Sequence, residues 1–303
     1  MSEKILGTVL VVDDEEIIRD VLELELRKRY NVFTAKNAVV ALNILKENTV
    51  DLVISDINMP GIKGFELLNT VKKKYPETRT ALITSYNIND YIRMAKENDI
   101  SNIISKSVPF NFDEFNSIVK NLVTEQIFGL ENYLLSTFDE LGKFTITTSG
   151  EITQVEEKIL SLIAEFHDVK PYVNILLEEL ITNAVYHAPV DENGKQKYRK
   201  HSNVVLEASE AVEVRLCKDS EKYGISVSDR SGKLTKQQVL HKIDRHINEE
   251  GLLDEDGRGL HISRIYSDRL IINIKKDVAT EAIILNYLNE KYKGYKPLYI
   301  NEL

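Results

Sequence analysis

Short apolar runs alternate with segments of helical period along the first 120 residues. Val9 to Val12, Val32 to Thr34, Leu52 to Ser55, Ala81 to Thr84 and Asn102 to Ser105 read as buried strands. Between them, Ile17 to Arg29 and Phe65 to Tyr75 carry apolar residues every three or four positions, as amphipathic helices do. Strand and helix alternating in this way predict a parallel sheet covered on both faces, because each parallel connection needs a crossover. Phe112, Phe115, Val119 and Leu122 then recur at helical spacing, which predicts a last helix of the first domain and a linker helix over residues 125–142. "TITTSGEITQ" breaks that pattern, and Phe144 to Thr147 reads as the first strand of something new.

The second half has a different rhythm. In "LLEELITNAVYHA", residues 176–188, Leu176, Leu177, Leu180, Ala184 and Val185 line one face of a helix, with Glu179 and Asn183 one turn apart on a neighbouring face. "YGISVSDRSGKL" alternates as a strand does and ends in Asp229 with Gly232 just beyond. "DEDGRGLHISRIYSDRLIINI" places Gly257, Arg258 and Gly259 before a helix and a further strand. Glycines at a helix start let backbone N–H groups approach phosphate oxygens, where the helix dipole favours negative charge.

Composition narrows the function classes. A length of 303 residues fits two domains with a core each, and 43% hydrophobic with 29% charged residues describes a soluble globular chain. A formal net charge of -9 argues against a protein that works by neutralising nucleic-acid phosphates. The single cysteine, Cys217, excludes an internal disulfide and a cysteine-built metal cluster, and it sits in a strand-like alternation with Val212, Val214 and Leu216 as a small core residue. There is no apolar stretch of about 20 residues, and acids arrive before any signal-peptide pattern develops, so a cytoplasmic protein with no membrane partner is expected.

The chemistry begins at the strand ends. "VVDDEEIIRD" puts Asp13 and Asp14 directly after an apolar strand, and "LVISDINMPG" does the same with Asp56. In open parallel sheets, ligands sit at the carboxyl ends of the strands. Three acids meeting there need a cation to neutralise them, and hard oxygen ligands suit Mg2+. Thr84 ends "ALIT" and Lys106 follows "NIIS", so a hydroxyl and an ammonium reach the same rim. Any one acid after a strand is most simply a turn or cap residue. An aspartate nucleophile, a divalent ion, a lysine and a hydroxyl together make a phosphoryl-accepting centre.

Over residues 5–124 this ordered set resembles the receiver domain of two-component response regulators, and "MPGIKG" after Asp56 matches the family's loop. The resemblance implies a flavodoxin-like, doubly wound, five-stranded α/β receiver over residues 1–124. It implies Asp56 as phosphoacceptor, and Asp13, Asp14, Asp56 and the Asn58 carbonyl as Mg2+ ligands. Thr84 would be the switch hydroxyl and Lys106 the phosphoryl contact. Two positions depart from the family: Ile103 stands where an aromatic switch residue is usual, and Ser107 and Val108 separate Lys106 from Pro109.

The motifs of the second half, in their order, resemble the ATP-binding fold shared by histidine kinases, gyrase and the heat-shock chaperone. Their spacing is closest to the anti-sigma-factor serine kinases. That resemblance implies, over residues 143–303, an α+β sandwich with a mixed sheet and helices on one face. Asn183 would be the Mg2+ ligand, Glu179 the general base, Asp229 and Gly232 the adenine-side residues, and Gly257, Arg258 and Gly259 the phosphate-binding turn. Residues 233–256 would form a lid. The basic run "GKQKYRKH" reads as a solvated loop, and His167, which lacks the acid and proline that surround a kinase phosphoacceptor, as structural.

Taken together, these readings predict a response regulator phosphorylated on Asp56 that controls a Mg-ATP-binding output domain of protein serine/threonine kinase type. An upstream histidine kinase and a downstream anti-anti-sigma or sigma factor are the expected partners, and a homodimer the expected assembly. The rival readings are a nucleotide-dependent sequestering module without kinase activity and an atypical histidine kinase using His167.

Overall fold

The computed structural model describes residues 5–166, 172–247, 258–289, 292 and 294–303. The chain divides into two compact units, Met1–Ile127 with Lys293–Leu298, and Phe128–Tyr292 with Tyr299–Leu303.

The first unit alternates β1 (Thr8–Val12), α1 (Glu16–Leu26), β2 (Asn31–Ala35), α2 (Ala38–Glu47), β3 (Leu52–Asp56), α3 (Gly64–Lys74), β4 (Arg79–Thr84), α4 (Ile92–Glu97), β5 (Asn102–Ser105) and α5 (Phe112–Thr124). The strands run in the order β2-β1-β3-β4-β5, all parallel. Val9 to Val12 and Leu52 to Ile54 are fully buried, which explains their unbroken apolar runs: a parallel strand covered on both faces has no polar side to show. The order reverses at β1, so the crevice at the carboxyl ends of β1 and β3 is where a ligand belongs.

The linker helix expected over residues 125–142 does not form. α5 stops at Thr124 because Glu125 takes a left-handed conformation (φ 57°), where an α-helix cannot continue, and Gly129 turns again at φ 101°. Residues 130–133 make a single 3-10 turn, and β6 (Asp139–Ile146) begins within the span assigned to the linker.

In the second unit β6 is followed by α6 (Ile152–Ile163), α7 (Val173–Thr182), β7 (Val212–Lys218), β8 (Lys222–Asp229), α8 (Lys236–Ile247), α9 (Arg258–Tyr266), β9 (Arg269–Lys275), β10 (Ala279–Tyr287) and β11 (Leu298–Glu302). The sheet is mixed, in the order β11-β9-β10-β8-β7-β6; β11 lies parallel to β9 and the other pairs are antiparallel. Strand alternation divides its side chains between two faces. Val227, Asp229, Ile272, Thr280 and Ala282 line a cavity together with Leu180, near the end of α7, and Leu260 of α9. Arg215, Cys217, Gly224, Asn273 and Glu281 belong to the opposite face by the same alternation.

Among the described residues no helix is long and apolar enough to cross a membrane. Cys217 is buried, as its strand pattern predicted. Lys197 of the basic run is not a free solvated cation: it pairs with Glu207, and with Glu210 at 2.8 Å.

Candidate functional site

Asp13, Asp56 and Lys106 meet at the carboxyl ends of β1, β3 and β5. The Lys106 ammonium lies 2.7 Å from Asp13 Oδ2 and 2.6 Å from Asp56 Oδ1. Asp13 has no exposed surface and Asp56 is 7% exposed. Burial raises the Asp13 carboxyl above the usual carboxylate range, against the opposing pull of Lys106. Burial pulls Lys106 down, but its bonds to Asp13 and Asp56 outweigh it and leave the ammonium more firmly protonated than a free lysine. The second Asp56 oxygen accepts from the Asn58 backbone N–H at 2.6 Å. Thr84 is fully buried at the end of β4, and its hydroxyl accepts from the Tyr86 N–H at 3.2 Å. A fixed carboxylate beside an ammonium, a hydroxyl and a backbone donor has the parts needed to accept a phosphoryl group and hold its developing charge.

Asp14 stands apart. It is exposed, and among the described residues no three His, Cys, Asp or Glu side chains close into a cage. The donor chemistry still suits a hard cation, since Asp13 and Asp56 offer carboxylate oxygens and Asn58 a carbonyl. Two contributors were not read from sequence. Arg19 donates to the carbonyls of Asp13 and Asp14 at 2.7 and 3.0 Å and so fixes the acidic turn. Tyr91 receives the Asn58 side-chain amide on its hydroxyl at 2.6 Å. An arginine one turn into the helix after an acidic pair is a usable signal for the first; nothing local marks the second.

The second unit holds a cavity of about 530 Å3, well within the range of small-molecule sites. Asn183 lines it, with Asp229 and Thr280, which face each other across the β8–β10 pair. Asp229 is 8% exposed, and burial raises its carboxyl above the usual range although Ser231 donates to it. Lys233, Lys242 and His187 add nitrogen groups to walls built from Leu180, Val227, Leu260, Ile272 and Ala282. The α7 helix does not run on regularly past Asn183. Residues Asn183–His187 form a π turn closed by the Ala188 N–H to Asn183 carbonyl bond at 2.9 Å, and such turns concentrate at functional sites.

Gly259 packs against Glu179 and Asn183. A Cβ at that position would stand 3.2 Å from Asn183 Nδ2 and closer still to the Glu179 carboxylate. Glu179, Asn183 and Gly259 therefore converge, and Asp229 lies in the same cavity as Asn183. Gly232 does not line the cavity, although its neighbours Ser231 and Lys233 do. It sits at φ 56° with its Cα against the backbone of Lys275, Val278 and Ala279, so a tight backbone crossing requires a glycine there. Arg258 is exposed at the start of α9 and outside the cavity lining. Gly257 and His167 lie outside the described residues, as does the part of the lid after Ile247.

A family model for the response regulator receiver domain matches residues 9–120. Sporulation initiation phosphotransferase F of Bacillus subtilis is 36% identical over 121 residues, 40% of this chain and 93% of that protein. The chain belongs to the response regulator receiver family and is a two-component response regulator. It is also similar to a cyclic di-GMP phosphodiesterase of Thermotoga maritima, 26% identical over 54% of this chain and 46% of that protein. Histidine kinase P4 of Formosa agariphila is 32% identical over 42% of this chain, a span that covers 9% of the kinase. The chain thus spans less than half the length of these two relatives.

Proposed function

We propose that Asp56 accepts a phosphoryl group from an upstream histidine kinase and that its state controls a Mg-ATP-binding output unit of protein serine/threonine kinase type. In the receiver, Asp56 is the nucleophile, Lys106 neutralises the incoming oxygens, and Thr84 offers its hydroxyl to one of them. Asp13, Asp14, Asp56 and the Asn58 carbonyl are the residues that would hold Mg2+, which lowers the charge of the reacting phosphoryl group. In the output unit, Asp229 with Thr280 suits an adenine amino group, Asn183 would hold Mg2+, and Lys233 and Lys242 suit the phosphate charge. Glu179 would take the proton from an attacking hydroxyl.

The observation that carries this reading is the meeting of Glu179, Asn183 and Gly259 beside a cavity that holds a buried carboxylate. It also favours a kinase over a module that only sequesters a sigma or anti-anti-sigma partner, because binding alone has no use for an acid beside the metal-side amide. Calorimetry should show Mg-ATP binding that Asn183→Ala removes. Glu179→Ala should keep affinity within a few fold and lower phosphoryl transfer about 100-fold or more, as for a lost general base. Unimpaired transfer in Glu179→Ala would move the reading to the sequestering module.

A further inference from the structure

The sheet face opposite the cavity is crossed by residues 128–135, and each strand from β7 to β11 is tied to that segment or to its partners. The Gly129 N–H donates to the Glu281 carboxylate of β10 at 2.9 Å. Leu130 presses on Gly224 of β8, where a Cβ would come within 2.6 Å of its Cδ1. Glu131 pairs with Arg215 of β7 at 2.7 Å. The Tyr133 hydroxyl donates to Asn273 Oδ1 of β9 at 3.0 Å, and Asn301 of β11 donates to the same oxygen at 2.8 Å. Asn273 in turn donates to Glu281 at 3.1 Å, and the Leu135 N–H donates to Asp219 at 2.9 Å. Tyr133, Asn273 and Glu281 are all buried.

Strand alternation makes this network the back of the cavity wall. Glu281 stands between Thr280 and Ala282, and Asn273 follows Ile272; those three neighbours line the cavity. Buried polar bonds of this kind are costly to leave unmade, so the segment can leave the sheet only if water takes their place. Only residues 125–127 separate it from the end of α5.

We propose that residues 128–135 are a regulatory strap that sets the nucleotide site from behind and through which the phosphorylation state of the receiver reaches it. This rests on the nucleotide reading of the cavity. The strap is seated here, and in this proposal phosphorylation of the receiver lifts it.

Cys217 supplies the probe. It is the single cysteine of the chain, fully buried, paired in register with Gly224 on the strap face. In the full chain, Mg2+ and acetyl phosphate should raise its rate of labelling by a thiol reagent about tenfold or more, as expected for local opening, and Asp56→Asn should not respond. Tyr133→Phe should label fast without phosphodonor and bind Mg-ATP several-fold more weakly; the exposed Glu131→Gln gives a second loosened strap if Tyr133→Phe fails to fold. An unchanged rate in protein whose intact mass shows the phosphoryl group overturns the strap, and so does a protein that takes up no phosphoryl, since the relay then has no input. A wild type that binds no Mg-ATP refutes the nucleotide reading instead, and the thiol response is read separately from it.

Discussion

Gly259→Ala separates stability from site geometry, because the two respond in opposite directions. Gly259 lies at the start of α9, where alanine is the better helix former by up to about 1 kcal/mol. Its Cβ, however, would enter the space held by the Glu179 carboxylate and crowd Asn183 Nδ2 at 3.2 Å. To regain ordinary contact the carboxylate must retreat by about 1 Å and the amide by a few tenths of an ångström. Glu179 is the end of a flexible side chain and can move, so the fold survives. A displacement of about 1 Å at a reacting group costs on the order of 100-fold in rate, and the smaller shift of Asn183 should weaken Mg-ATP binding several-fold. Thermal unfolding should therefore show an unchanged or higher midpoint, while calorimetry and a phosphoryl-transfer assay show the losses. Wild-type affinity and transfer in a folded Gly259→Ala protein would refute the claim that Glu179, Asn183 and Gly259 form one functional cluster.

Asp56→Asn should abolish labelling by acetyl phosphate with Mg2+, measured by intact mass; labelling at wild-type stoichiometry would remove Asp56 as acceptor. Glu156 gives a pH prediction: burial and the nearby Glu178 carboxylate raise its carboxyl from 4.5 to about 7. A raised acid holds its proton in the fold but loses it in the unfolded chain, so its contribution to stability is full below pH 4.5 and is lost as pH rises through about 7. Glu156→Gln should thus be neutral near pH 4 and stabilising at pH 8 by about 1 kcal/mol, less than the ~3 kcal/mol of the full shift because the group is half-exposed. Urea midpoints at the two pH values check it, and equal effects at both would count against the assignment.

The receiver was legible because its chemistry sits at strand ends. Strands buried on both faces leave continuous apolar runs, and each run points at the residue that follows it, which is how Asp13, Asp56, Thr84 and Lys106 were found. Tyr91 was not, since 33 positions separate it from Asn58 and no period links them. The linker helix was misread because helical spacing says where a helix runs and not where it stops; the stop is the conformation of Glu125. β6 is mostly half-buried or exposed, so Phe144 gave its main apolar signal. The resemblance put Gly232 on the adenine side, and no local pattern showed that a crossing against the β9–β10 turn decides its conformation. The strap left no trace in the local sequence because the partner of Gly129 lies 152 positions away.

The π turn at Asn183–His187 bears on chain length. Such a turn lets a helix absorb one extra residue while both of its ends stay where they were. Leu176, Leu177 and Leu180 keep their place in the core ahead of it, and Ala184, His187 and Ala188 still reach the cavity beyond it. Deleting one residue there would restore the ordinary repeat and leave both flanks in place. The side chain that follows the asparagine by one turn would then no longer be the one equivalent to His187. Between related chains, residues past Asn183 correspond by their position on the cavity wall, and counting along the sequence alone misplaces them by one.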